Sequence, residues 1–222
     1  MKIKFNFRHS IILGLFLAVL GFSVNSLGQP KIAKSAPGQQ NIFGLTEVGK
    51  YDNSYFGFKF HFPESYTVVQ SEEAKVYSKA GADILRGGGQ QNSKRFDEAL
   101  ARQATIIGIL QKPYGLPQNA IIEIVAAKQA KGVTANIALA ASTSLMTTST
   151  GYKLTKSLDN ATFGRKRFAG ARLDGEFNSV KLTQETYVIM RREYAIYIAV
   201  TYSTDEGRKN MIAILDSLEF AN

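Results

Sequence analysis

The sequence predicts an α+β fold, and three observations carry that prediction. In residues 55–62, Phe56, Phe58, Phe60 and Phe62 alternate with other residues, the period of two that a half-buried strand requires. Residues 169–177, 182–190 and 194–202 read as three further strands joined by short polar connections, so they are expected to be antiparallel neighbours. Residues 133–145 and 211–218 instead place their apolar side chains at helical spacing.

The chain begins with the three parts of a secretory signal peptide, taken as residues 1–28. Lys2, Lys4 and Arg8 make a basic start, and Ile11 to Val24 is an almost wholly apolar run. Ser26 and Gly28 supply small residues for cleavage. The run is shorter than the roughly 20 residues that cross a bilayer as a helix. The alternative is an uncleaved anchor, with Phe5, Phe7 and Leu27 lengthening the run. The expected location is periplasmic or extracellular. There is no cysteine, which excludes a lipoprotein anchor, disulfides, thiol nucleophiles and thiolate metal sites.

Residues 29–222 carry 24 basic and 18 acidic side chains, a net of +6. Export sets nucleic acid aside as a partner, so the charge points to solubility or to attraction by anionic surfaces. His61 is the one histidine beyond the signal segment.

Residues 29–50, with Gln29-Pro30 and Ser35 to Gln40, show no sustained period and are expected to form a flexible linker before a single domain over 51–222. Ile42, Phe43, Leu45 and Val48 are the linker residues able to dock on the domain. After the first strand and Pro63, Tyr66 to Gln70 is a short strand, and 72–79 a further short element. Arg86 to Gln91 is a glycine-rich loop. Ser93 caps a helix with Asp97 and Glu98 in its early turns and Phe96, Leu100 and Ala104 on one face. Thr105 to Gln111 and Ala120 to Ala127 are buried strands around the loop 112–117. Val133, Ile137, Ala140, Ala141, Ser144 and Leu145 mark a helix that packs close to a sheet. Ser203 and Glu206 read as a capping box for the closing helix, whose stripe is Met211, Ile212, Leu215 and Leu218.

The opening run Tyr51 to Tyr66 (YDNSYFGFKFHFPESY) and the closing runs Ala199 to Ser203 and Ile214 to Phe220 resemble the ends of PsbP/Mog-like domains. The resemblance covers 51–220 in layout and only the two ends in motif. It implies an α/β/α sandwich on a central, mainly antiparallel sheet. Members of that family include extrinsic photosystem II subunits, a Ran-binding protein and exported bacterial proteins, and they act mainly by binding other proteins. Tyr66 stands where many of them have Trp, and this chain has no Trp. No functional residue carries over.

The densest basic group is Arg165-Lys166-Arg167 with Arg172, Lys181, Arg191 and Arg192. If neighbouring strands gather it, it forms a patch for a protein or an anionic envelope surface; solvated strand ends protecting an edge are the simpler alternative. Asp174 and Glu176 share a strand face, the raw material of carboxylate hydrolysis, but Arg172 beside them favours surface ion pairs. His61 and Glu64 have no spacing that fixes a metal. Arg86 to Lys94 has the form of an anion-cradling loop but lacks the P-loop pattern. Ser142 to Thr150 is rich in hydroxyls without a nucleophile elbow. Asn160-Ala161-Thr162 is a glycosylation sequon.

No catalytic set, metal set or cofactor motif emerges, and none is expected. The leading expectation is an exported, non-catalytic binding module. The alternatives are a carboxylate-based hydrolase and a small-ligand or lipid carrier, the latter from aromatic strand faces that would line a cavity rather than fill a core.

Overall fold

The computed structural model describes residues 42–69, 103–113, 118–149, 152–177 and 180–221. In chain order these hold β1 (Leu45–Glu47), β2 (Lys50–Asn53), β3 (Phe58–His61), β4 (Thr67–Val69), β5 (Gln103–Leu110), β6 (Ile121–Lys128) and helix α1 (Ala135–Ser149). There follow β7 (Lys153–Ser157), β8 (Thr162–Phe163), β9 (Lys166–Arg167), β10 (Ala169–Phe177), β11 (Val180–Arg191), β12 (Tyr194–Tyr202), helix α2 (Asp205–Asp216) and β13 (Glu219–Phe220). The fold is α+β, as expected.

Seven strands make the main sheet, in the order β4-β5-β6-β12-β11-β10-β7. All its pairings are antiparallel. The predicted meander of 169–177, 182–190 and 194–202 is β10, β11 and β12, with β11 longer than expected at both ends. A second sheet runs β1-β2-β3-β13, and β8 and β9 form a separate hairpin.

The central strand β12 feeds two cores. Ile196, Ile198, Val200 and Tyr202 pack with Phe58 and Phe60 of β3 and with Met211, Ile214 and Leu215 of α2. The intervening Ala195, Tyr197 and Ala199 pack with Ala138, Leu139 and Met146 of α1. Both faces are covered, so the strand reads as a continuous apolar run. The aromatic face of the opening strand fills the first core. Tyr66, in the position noted above, packs partly buried against that core.

Four expectations change. Residues 45–50, placed in the linker from composition, form β1 and the start of β2. β1 pairs antiparallel with β2, and two polar side chains of β2 hold the chain just before it: the Tyr51 hydroxyl donates to the Phe43 carbonyl at 2.8 Å, and Asn53 Nδ2 donates to the Ile42 carbonyl at 2.9 Å. The first strand is shorter than 55–62, because Gly57 adopts φ +68 and turns the chain before Phe58. Ala104 lies in β5 instead of closing a helix. The bulge between Thr105 and Ile107 then turns both Ile106 and Ile107 inward. The α2 cap is Thr204, not Ser203: its hydroxyl accepts from Gly207 N at 3.1 Å.

β7 and the β8–β9 hairpin were not expected. β7 is exposed at all five residues, so no alternation marks it. The elements proposed for 72–79, the loop 86–91, the helix from Ser93 and the segment 114–117 lie outside the described residues. No helix among the described residues is long and apolar enough to cross a membrane.

Candidate functional site

Phe220 of β13 organises one end of the molecule. Its ring packs 6.2 Å from Phe58 and 6.2 Å from Phe168. A Cβ at Gly164 would strike the Leu218 carbonyl and the Phe220 ring, so the β8–β9 turn is seated directly on this segment. The Arg191 guanidinium lies over the same ring, 5.4 Å from its centroid. Two basic turns therefore meet at one aromatic side chain.

In the first turn, Gly164 has φ +53 and Arg165 φ +62. Two successive left-handed residues are the signature of a type I′ hairpin turn, whose twist matches that of the strands. Arg165, Lys166 and Arg167 are all exposed. Arg167 turns back on the preceding loop, where Nε donates to the Asp159 carbonyl at 3.1 Å and Nη2 to Asn160 Oδ1 at 3.0 Å.

In the second turn, between β11 and β12, both arginines serve residues 55–57. Arg191 Nε donates to the Phe56 carbonyl at 2.8 Å, and Arg192 Nε donates to the Tyr55 carbonyl at 2.8 Å. The Arg192 guanidinium also lies 4.7 Å from the Tyr55 ring centroid, a cation–π geometry. These bonds satisfy carbonyls that the Gly57 turn takes out of strand pairing. Two nearby acids are already paired: Glu193 with Lys128 at 3.0 Å, and Glu219 with Lys59 at 2.9 Å. The surroundings are left net positive.

Arg165, Lys166, Arg167, Arg191 and Arg192 are thus carried by the two turns that meet at Phe220. Arg172 and Lys181 are not among them. Lys181 and Arg191 sit near opposite ends of the 12-residue strand β11, about 33 Å apart at the usual strand rise. Arg172 stands in mid-sheet opposite Glu185, 3.6 Å from Asp174 Oδ1, with its guanidinium 5.9 Å from the Tyr202 ring centroid.

The most elaborate polar assembly was not singled out by the sequence. Glu185 of β11 is 1% exposed. Its Oε2 accepts from the Tyr187 hydroxyl at 2.7 Å, and its Oε1 from the Tyr202 hydroxyl at 3.0 Å and from Arg208 Nε at 2.8 Å. Burial pushes the carboxyl up, but these donors outweigh it and hold the group below its ordinary value. Burial also pushes the Tyr187 hydroxyl far up, so it stays protonated as a donor. A carboxylate held in its ionised form by donors from its own fold anchors α2 to the sheet. In β11 this acid stands in the polar run Thr183, Gln184, Glu185 and Thr186, so strand alternation gave no signal that it is buried.

The other candidates have ordinary surroundings. Asp174 Oδ1 accepts from Thr183 Oγ1 at 2.7 Å. Burial raises its carboxyl, yet the bonds from Thr183 and Thr155 and the charge of Arg172 leave it lowered overall. A general acid needs the opposite shift. Glu176 is exposed and opposite Lys181 in register. His61 is exposed: its N–H donates to Ser217 Oγ at 2.9 Å, its carbonyl accepts from that hydroxyl at 3.1 Å, and its side chain helps to lower the Glu219 carboxyl, after the larger effect of Lys59. No group of three His, Asp or Glu residues that could hold a metal occurs among the described residues. In the hydroxyl-rich segment, Thr147 and Thr148 donate to helix carbonyls of Ser144. The loop Arg86 to Lys94 lies outside the described residues.

No family model matches the chain, and no curated protein matches it. Similar solved structures include LpqN, involved in cell envelope biogenesis of Mycobacterium tuberculosis, at 13% identity and a TM-score of 0.43 over 74% of this chain and 83% of that one. Another is the cyanobacterial PsbP (CyanoP) of Synechocystis sp. PCC 6803, at 9% identity and a TM-score of 0.43 over 80% of this chain and 96% of that one. A third is a protein of Bacteroides thetaiotaomicron VPI-5482, at 13% identity and a TM-score of 0.39 over 80% of this chain. This chain spans 50% of the length of that structure.

Proposed function

We propose that this chain is an exported, non-catalytic binding module that docks on an anionic partner surface through the basic end around Phe220. One observation supports this reading above the others. Two turns from separate parts of the chain, which together carry five cationic side chains, both pack against one aromatic residue through Gly164 and Arg191, while the nearby acids Glu193 and Glu219 are neutralised by lysines. Clustered like charge on rigid turns costs self-repulsion and steers an oppositely charged partner. Of the five, Arg165 and Lys166 are the exposed pair at the tip of the hairpin, and we assign them the first contact. Arg191 and Arg192 spend hydrogen bonds on the fold and contribute field more than contact. We read the two helices and the central sheet as the α/β/α sandwich that the sequence resemblance implies.

The test is co-sedimentation of the protein with phosphatidylglycerol and phosphatidylcholine vesicles at low and high salt. Binding carried by this end is selective for the anionic vesicle, falls with salt over a Debye length that shrinks from about 10 Å at 0.1 M, and is lost in Arg165→Glu/Lys166→Glu. Unchanged capture by that double variant would sink the proposal, and unchanged binding to both vesicle types would point to the apolar N-terminal run.

A further inference from the structure

A second polar assembly crosses the sheet on the face opposite to Glu185. Thr105, Glu123, Thr201, Gln184 and Thr186 follow one another over β5, β6, β12 and β11. In register, Glu123 stands opposite Ala199, and Thr201 is two residues further along β12. Gln184 is opposite Thr201, and Thr186 opposite Ala199. Ala199 belongs to the core that α1 covers, which places these side chains in the interior. Glu123 is 6% exposed, Gln184 1% and Thr201 1%.

The assembly makes two internal bonds. Thr105 Oγ1 donates to Glu123 Oε1 at 3.3 Å, and Gln184 Nε2 donates to Thr186 Oγ1 at 3.0 Å. Glu123 Oε2, Gln184 Oε1 and Thr201 Oγ1 have no partner. The Glu185 site, of similar burial, satisfies its carboxylate with three donors. Folded proteins pair the great majority of buried polar atoms, because each orphan keeps its full desolvation penalty. Three orphans at neighbouring register positions point to a bound group that completes them.

The chemistry of the three oxygens selects that group. A glutamine carbonyl only accepts, so the ligand must donate. A carboxylate beside it favours a positive charge. A primary ammonium supplies three N–H donors and one charge, one donor for each oxygen; water has two hydrogens and no charge. Gly108 and Ala199 flank Glu123 on its two neighbouring strands, so neither strand puts a long side chain directly beside the carboxylate. Thr201 is diagonal to Glu123, about 7–8 Å away, and directly opposite Gln184, so it stands between the two longer side chains.

We infer that Glu123, Thr201 and Gln184 form a buried site for a small primary ammonium ligand. This site is independent of the basic end. Burial pushes the Glu123 carboxyl up to about 8, with the Thr105 hydrogen bond pulling the other way. The carboxyl is therefore neutral near pH 7, and an entering ammonium ionises it, its proton passing to solvent. Tyr197 on the same face of β12 and Tyr152 against Gly175 are phenols that burial keeps protonated, so neither competes for the charge. Entry requires local opening of the elements over this face, so the measurement belongs at equilibrium.

The experiment compares the unfolding midpoint of the full chain in methylammonium, tetramethylammonium and potassium chlorides at matched ionic strength. Methylammonium is expected to raise the midpoint saturably by several degrees. Tetramethylammonium, with the same charge and no N–H, is expected to leave it unchanged. Glu123→Gln abolishes the rise, and Thr201→Val weakens the apparent affinity about tenfold, the loss of one hydrogen bond. If Glu123→Gln does not fold, Thr201→Val is decisive alone. An equal response to all three salts, or an undiminished response in a folded variant, overturns the site. A response to potassium without one to methylammonium overturns the ammonium assignment.

Discussion

Arg208 of α2 donates its Nε–H to Glu185 Oε1 at 2.8 Å, joining a carboxylate that is 1% exposed to a guanidinium that is 40% exposed. The asymmetry says what the pair does. The carboxylate is committed to the interior, and the arginine reaches it from the solvent side of the helix that covers it. The bond ties α2 to β11, while Tyr187 and Tyr202 fix the carboxylate from the sheet.

Removing the cation strands the buried charge. Arg208→Met is expected to cost about 2–3 kcal/mol in urea unfolding, below the full cost of breaking a sealed pair because two tyrosyl donors remain. Adding Glu185→Gln is expected to recover most of the loss, since the uncompensated charge is then gone. A double variant no more stable than Arg208→Met would show that the arginine acts through its packing instead.

Stability is expected to erode in both directions from mildly acid pH, through different residues. The Glu185 and Asp174 carboxyls are lowered by folding, so their contribution is complete above the unfolded carboxylate values, roughly 4, and is lost as pH falls through the folded values. The Glu123 carboxyl is raised to about 8, so the folded chain holds a proton that the unfolded chain has released. Its contribution is complete below roughly pH 4.5 and is lost as pH rises toward 8, at up to about 1.4 kcal/mol per pH unit. Denaturant titrations from pH 5 to 8 should show this decline, and Glu123→Gln should flatten it. A wild-type stability that rises over that window would contradict the burial of an unpaired carboxyl.

The two residues at the start of α2 have different duties. Thr204→Ala is expected to cost about 1 kcal/mol by removing the hydroxyl that accepts from Gly207 N. Ser203→Ala is expected to be neutral or stabilising, because the Ser203 hydroxyl is buried without a partner. Thermal midpoints of the two variants separate the assignments.

At the tip of the β8–β9 turn, folding and the proposed binding pull apart. Arg165 holds φ +62, which glycine adopts freely, so Arg165→Gly is expected to raise stability by about 0.5–1 kcal/mol while weakening capture by anionic vesicles. Gly164→Ala is expected to destabilise by several kcal/mol, because its Cβ would meet the Leu218 carbonyl at a backbone angle that already disfavours it. A gain in stability without a loss of binding in Arg165→Gly would remove that residue from the contact.

Elements with a strong period were legible, and those held by contacts from elsewhere were not. The strands 169–177 and 194–202 appear with their predicted bounds because their apolar side chains must repeat at the pleat. β7 is exposed throughout, and its strand geometry comes from pairing with β10. β1 joins the fold although its composition resembles a linker, since Tyr51 and Asn53 lie outside it and supply the bonds that order the chain before it. The basic residues were visible as a list, but which of them stand together depended on strand length and on Phe220, some 50 residues from the hairpin.

The sequence by itself determined the α+β class, the central strands, the closing helix and the absence of thiol chemistry, because composition and period are local and survive without knowledge of neighbours. Only the tertiary structure decided that Arg191 and Arg192 clasp residues 55–57, that Glu185 is satisfied and that Glu123 is not. Those differences arise between identical side-chain types. Each depends on which groups from distant strands lie within about 3 Å, a distance that hydrogen bonds impose and sequence spacing does not encode.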